Sequence, residues 1–144
     1  MDPRIQAVLS MAPSAFDKPG AIYVYEIPAK QPNSPNQRSR RTELKYGRAK
    51  EPTKRRAQWL RKCRGQDQRW LCYWNIPFAA KFEKLIHTHF KLKGAWLGRT
   101  ACDFCKTEHQ EKYDKGTCGG RAVVVQEVEF YLGLLGWPIL RVDM

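Results

Sequence analysis

G-A-I-Y-V-Y-E-I at Gly20–Ile27, followed by E-L-K-Y-G-R-A at Glu43–Ala49, decides how this chain is read. The first stretch is rich in β-branched and aromatic residues, and alternation places Ile22, Val24 and Glu26 on one side and Tyr23, Tyr25 and Ile27 on the other. Two tyrosines therefore leave the same face of one strand. The second stretch predicts a short strand in which Gly47 marks a bulge or a close approach by another group, since glycine otherwise weakens a strand. Between them, Pro28–Arg41 carries Pro32, Asn33, Ser34, Pro35 and Asn36 and reads as a polar loop. Strand, loop, strand predicts an antiparallel hairpin.

Working outward, Pro52 and Thr53 open a helix, with Thr53 as its N-cap. From Lys54 to about Arg64, helical spacing puts Ala57, Leu60 and Cys63 on one side and Lys54, Gln58, Arg61 and Lys62 around the other. W-L-C-Y-W-N-I at Trp70–Ile76 predicts a third strand. After Pro77, Phe78, Phe82, Leu85, Ile86, His89 and Phe90 recur at helical spacing through Leu92. The order β-β-α-β-α predicts an α+β fold, a small antiparallel three-stranded sheet flanked by helices. Gly94–Gly120 is loop-like and holds Cys102, Cys105, His109 and Cys118. Val124, Val128, Tyr131, Leu132 and Leu135 then line one stripe of a C-terminal helix ending at Gly136-Trp137-Pro138, although Val123-Val124-Val125 also suits a strand. The expected divisions are an N-terminal lead-in with three prolines over 1–19, a central domain over 20–114 and a helical extension over 115–144.

Composition limits what such a domain does. The chain has 144 residues, 26 Lys+Arg against 14 Asp+Glu and 42% apolar content, which suits one domain and excludes a wholly disordered basic tail. Met1–Gly20 lacks the cationic and apolar runs of a secretory signal, and Ala122–Leu140 is broken by Gln126, Glu127, Glu129, Gly133, Gly136 and Pro138, so no membrane span is expected. Five cysteines, with Cys102 and Cys105 as a C-x2-C pair, predict metal or redox chemistry in a reducing, intracellular setting, nuclear or cytoplasmic. The charge is concentrated: Arg38–Arg69 holds 13 Lys+Arg against Glu43, Glu51 and Asp67, a net of +10 out of +12. A field this local attracts polyanions. Tyr46 and Trp59 lie within it and Trp70 directly follows it as rings for base stacking, so the expected partner is nucleic acid, DNA or RNA, and not a membrane.

In this order and spacing the motifs resemble the GIY-YIG nuclease superfamily, and more closely its branch typified by the phage T5 Orf172-like domain and the fungal meiotically up-regulated gene 113-like proteins. G-A-I-Y-V-Y at Gly20–Tyr25 resembles the opening strand, K-Y-G-R at Lys45–Arg48 the branch's K-I-G-R, and P-T-K-R-R-A-Q-W-L-R-K-C at Pro52–Cys63 the following helix. E-K-L-I-H at Glu83–His87 and C-x2-C-x3-H-x-E at Cys102–Glu111 are similar to the carboxylate helix and its downstream cluster. The likeness covers about residues 20–114.

The resemblance implies a divalent-metal-dependent DNA endonuclease. Tyr25 or Tyr23 would activate water, Arg55, or its neighbour Arg56, would stabilise phosphate charge, and Glu83 would hold Mg2+. Lys45 replaces the signature tyrosine, with Tyr46 beside it; a lysine there either steadies a phosphate or marks a copy that binds without cutting. Tyr46, Arg48, Lys54, Arg56, Arg61 and Lys62 are the expected nucleic-acid contacts. Cys102, Cys105 and His109 offer three ligands to a structural Zn2+, which needs a fourth. The resemblance supplies His87, with His89 and Cys118 as alternatives. Two other function classes fit the residues: a zinc-stabilised DNA-binding module without catalysis, and a protein-interaction domain whose C-terminal stripe pairs with a second copy or a partner.

Overall fold

A computed structural model of the chain describes residues 1–29, 42–98, 100–101, 108–109 and 112–144, with 100–101 and 108–109 described by their backbone alone. In chain order its elements are α1 (Pro3–Ser10), β1 (Gly20–Ile27), β2 (Glu43–Ala49), α2 (Pro52–Lys62), β3 (Arg69–Ile76), α3 (Ala79–Leu92), β4 (Thr100–Ala101), β5 (Glu108–His109), β6 (Lys112–Asp114), α4 (Lys115–Cys118), α5 (Arg121–Leu135) and β7 (Arg141–Asp143).

The three long strands stand where alternation placed them. All pairings are antiparallel, with β1 central: Tyr25 faces Lys45 and Tyr23 faces Gly47 on β2, while Tyr23 faces Tyr73 on β3. A register shift between Val24 and Tyr25 brings Tyr25 opposite Trp70. The sheet has five strands, not three, in the order β6-β2-β1-β3-β7, and β4 pairs β5 separately. The added strands β6 and β7 are three residues each, too short to show a period of two, so alternation could not announce them.

The two faces of the sheet are built differently. On one, Ile22, Val24, Leu44, Tyr46, Cys72, Trp74 and Ile76 meet Ile5 and Val8 of α1, Phe82, Leu85, Ile86 and Phe90 of α3, and Val124, Val128, Tyr131 and Leu132 of α5. The Trp74 indole N–H donates to Glu129 Oε2 at 3.0 Å, so the buried ring loses no hydrogen bond. On the other, Tyr23, Tyr25, Ala49 and Trp70 form a smaller cluster, against which Trp59 and Tyr73 pack. That face is covered by α2, which buries none of its own residues.

Two sequence expectations need correction here. The side of α2 that turns inward carries Arg55, Trp59 and Cys63, whereas Ala57 and Leu60 face out, Leu60 being 42% exposed. A flat indole covers more of an aromatic surface than Ala57 and Leu60 together, and its N–H finds an acceptor there. The helix begins at Pro52 with Glu51 in the N-cap position and no side-chain cap, so Thr53 does not fill that role.

The lead-in is also more than a tail. Asp2 accepts the Arg4 backbone N–H at 2.8 Å to start α1, and Lys81 Nζ donates to the Leu9 and Met11 carbonyls at 2.9 and 2.6 Å where α1 ends. In return, Asp17 accepts the backbone N–H groups of Ala80 and Lys81, each at 2.9 Å, at the start of α3, and Ala79 donates to the Lys18 carbonyl at 3.1 Å. Three of the four orphan donors of α3 are thereby satisfied from the lead-in, 63 and 64 residues away in sequence for the two bonds to Asp17. The stripe expected on α5 is real, but Val124, Val128, Tyr131 and Leu132 are spent on the chain's own core. Among the described residues no helix is long and apolar enough to cross a membrane.

Candidate functional site

Where β1 begins and β2 ends, the chain opens a cleft of about 290 Å³ between the lead-in, the start of α2 and the start of α3. Its walls carry Lys18, Arg48, Lys50 and Arg55, with Phe16 at the rim. The lining acid, Asp17, is committed to the α3 backbone. Gly20 keeps the floor open, since a Cβ there would lie 3.2 Å from the Ala79 methyl and 3.4 Å from the Ala49 carbonyl. The result is a pocket with surplus positive charge.

Of the expected catalytic residues, the structure gathers some and separates others. Arg55 is half-buried and lines the cleft, while Arg56 is exposed, so Arg55 is the inward one of the two neighbours. Glu83, on α3, reaches Arg48 with Nε to Oε1 at 3.6 Å, so the carboxylate and the cleft share one guanidinium. Tyr23, Tyr25 and Lys45 lie elsewhere, beneath α2, and none of them lines the cleft.

That second group forms a packed aromatic box. Tyr25 stacks on Trp70 with centroids 4.4 Å apart, and Tyr23 lies 4.9 Å from the same ring. The Trp59 indole N–H donates to the Tyr23 hydroxyl at 3.2 Å. Lys45, only 2% exposed, holds its ammonium 3.4 Å from the Trp59 ring centroid and 5.9 Å from that of Tyr25. This is a cation–π clamp between sheet and helix. Gly47 meets the expectation of a close approach: a Cβ there would stand 2.6 Å from the Tyr23 hydroxyl oxygen and 2.9 Å from the ring carbon bearing it.

Tyr46 belongs to the main core, 2% exposed, with its ring stacked on Tyr113 at 5.1 Å and its hydroxyl donating to the Glu83 carbonyl at 3.0 Å. It presents no ring face to a base. Trp70 is likewise buried, and Trp59 half-buried. The remaining expected contacts, Arg48, Lys54, Arg56, Arg61 and Lys62, are exposed.

Cys102, Cys105 and Glu111 lie outside the described residues, as does the His109 side chain. The β4–β5 ladder pairs Thr100 with His109 and Ala101 with Glu108. Among the described residues no group of three His, Cys, Asp or Glu side chains is placed to hold a metal ion. The proposed fourth ligands differ in their engagements. His87 Nδ1 meets the Tyr113 hydroxyl. His89 uses both nitrogens: Nε2 contacts Glu127, and Nδ1 accepts the Tyr131 hydroxyl at 2.9 Å. Burial pushes the His89 imidazole below its usual 6.5, a shift Glu127 opposes and Lys93 reinforces. Cys118 is fully buried and its thiol is pushed up to about 12 by desolvation, which disfavours the thiolate a metal needs.

Sequence reasoning missed Lys18 and Lys50. Lys50 adds to the charge of the basic segment, but nothing in the sequence distinguishes it from the other cations there; Lys18 lies outside the segment and becomes visible only when the lead-in folds back.

With this geometry in place, comparison with known proteins matches the chain to the T5orf172 domain, whose family model covers residues 20–128. No curated protein and no solved structure matches the chain.

Proposed function

This chain belongs to the T5orf172 domain family, and from that premise we propose that it is a nucleic-acid-binding domain of the GIY-YIG type that grips the phosphate backbone of DNA in the cleft beside α2. The observation that carries this reading is the convergence of Lys18, Arg48, Lys50 and Arg55 on one pocket whose lining acid is already committed. Guanidinium groups suit phosphate because their planar donors match its oxygens in pairs. Each phosphate neutralised releases counterions, so binding falls with salt. The test is fluorescence anisotropy on duplex DNA over a salt series. Arg55→Ala and Arg48→Ala should each weaken binding on all sequences and flatten the plot of log affinity against log salt by about one unit. Unchanged affinity in the double variant would remove the cleft from the interface.

A second reading adds hydrolysis, favoured by one contact, Glu83 beside Arg48. In this reading Glu83 would hold Mg2+, a hard cation that takes oxygen ligands and supplies charge neutralisation at the leaving oxygen. Arg55 would bear on the phosphoryl oxygens from the opposite wall. Tyr23 or Tyr25 would have to emerge from beneath α2 to reach water, and Lys45 would have to leave the Trp59 ring to steady a phosphate. The burial of all three favours binding over cutting. Mg2+-dependent nicking by the wild type that disappears in Glu83→Ala would establish the hydrolytic reading; equal background in both would leave a binding module.

We further propose a structural Zn2+ held by Cys102, Cys105, His109 and His87. Support comes from the β4–β5 ladder, which brings the backbone flanking Cys102 alongside His109, and from the family resemblance that supplies His87, while the bonds of both His89 nitrogens and the raised Cys118 thiol count against the alternatives. The hydroxyl of Tyr113 on His87 is the kind of partner that orients a metal-binding imidazole. Metal analysis of the native protein should return about one zinc per chain, as expected for a tetrahedral site closed by four protein ligands; its absence would withdraw the site.

A further inference from the structure

We infer that α2 is a groove-reading helix, placing Gln58 and Arg61 against base edges in the major groove of duplex DNA. The inference rests on the phosphate-gripping reading above and adds what the domain distinguishes.

Three observations carry it. First, among the described residues no element covers the outward half of α2: Lys54, Ala57, Gln58 and Arg61 are all exposed, and at i, i+3, i+4 and i+7 they form one stripe opposite Arg55 and Trp59. Ala57, at the middle of that stripe, adds no bulk that would hold the helix away from a base pair. Second, the charge matches one occupant. Pro52–Lys62 contains five Lys+Arg and no acid, and Lys62 is exposed next to Gln58 at the edge of the stripe, where phosphates border a groove. Third, the helix is fixed in rotation. The Trp59 N–H bond to Tyr23, the Lys45 ammonium under the Trp59 ring and the Gln68 amide donating to the Trp59 carbonyl at 3.4 Å hold the inward side. A helix held in this way presents the same stripe each time it docks.

Shape decides the kind of duplex. A helix of about 10–12 Å diameter enters the B-form major groove, about 12 Å wide, and is excluded from the deep, narrow major groove of A-form RNA. The side chains fit the chemistry displayed there. Glutamine donates and accepts in a pair with adenine, and arginine donates twice to guanine. Gln58 and Arg61 stand at i and i+3, about 4.5 Å apart along the helix axis, on the scale of a base-pair step of about 3.4 Å. Arg55, inside the cleft at the first turn of the same helix, would grip the backbone and set the register, as phosphate contacts do.

The test is selection of the intact chain on a randomised duplex DNA pool, followed by anisotropy at one salt concentration on the selected and scrambled duplexes and on an RNA duplex. The wild type should enrich a short motif containing adenine and guanine at neighbouring positions and bind the RNA duplex more weakly. Gln58→Ala and Arg61→Ala should each lose discrimination at one position by about tenfold or more. Gln58→Ala should keep its affinity for the scrambled duplex, because it removes no charge. Arg55→Ala should weaken all duplexes alike and leave the motif unchanged. Enrichment of no motif, the same motif from both α2 variants, or preference for the RNA duplex would overturn groove reading while leaving the phosphate cleft standing. Failure to bind any nucleic acid would overturn both.

Discussion

The two faces of the central sheet divide the labour of this domain. One is sealed by α1, α3 and α5 over an apolar core, and its residues are almost all below a few per cent exposure. The other is covered by a single basic helix that buries no residue and is held through Trp59, Tyr23 and Lys45. Burial of large apolar side chains supplies most of the stability of such a fold, at about 25 cal/mol per Å². Stability therefore sits on the α3 face, while the proposed recognition falls on the α2 face, so each face should tolerate different changes.

The sharpest way to break that division is Phe82→Ala, which empties a fully buried position between α3 and the sheet. A loss of about 3–5 kcal/mol is expected in denaturant melts. Next comes Gly47→Ala, on the α2 face. Its methyl would press on the Tyr23 phenol, which the Trp59 N–H already holds, so the ring cannot simply swing away. A cost of about 1–3 kcal/mol is expected, together with weaker DNA binding as α2 loses its seat. Retention of wild-type stability and binding would show that the aromatic box is not what fixes the helix.

Acidification should probe the sealed face alone. His89 is held below its ordinary 6.5, chiefly by burial, and bridges Glu127 on α5 to Tyr131 on the same helix. The folded state binds fewer protons at this site than the unfolded one, so its contribution is fully present above pH 6.5 and is lost as pH falls below that value. The thermal midpoint should drop between pH 7.5 and 5.5, and less so in His89→Gln; a flat or rising midpoint in the wild type would contradict the assignment. The smallest effect on stability belongs to Gln58→Ala, within about 0.5 kcal/mol of wild type. Its consequence should appear only in DNA discrimination.

Legibility in the sequence followed the length of each signal. The strands Gly20–Ile27, Glu43–Ala49 and Arg69–Ile76 and the helices around Phe82 and Val128 each carry a full period of burial, and all were readable. The strands Lys112–Asp114 and Arg141–Asp143 carry none, since three residues do not establish alternation. The orientation of α2 was misread because hydrophobicity favours Leu60 as the inward residue. The structure uses the amphipathic Trp59, whose partner is a tyrosine hydroxyl on the sheet. In the site, the basic segment announced Arg48, Lys50 and Arg55 through charge, but which of them converge depends on Asp17, Lys18 and Ala79 arriving from other elements. Tyr46 shows the same limit from the other side: a tyrosine inside a basic run looks like a stacking platform until strand alternation with Leu44 turns it into the core.

The exchange of caps between α1 and α3 sets where this domain physically begins. The family match starts at residue 20, yet Asp17 closes the start of α3 and Lys81, from α3, closes the end of α1. Sequence families trace what descends together, whereas cooperative units trace what melts together, and here the second is longer than the first. A chain trimmed before Gly20 would remove the acceptors of three N–H donors at the head of α3 and one wall of the cationic cleft in a single cut. The segment that looks most dispensable by homology is thus a shared boundary between the folded core and the proposed phosphate cleft.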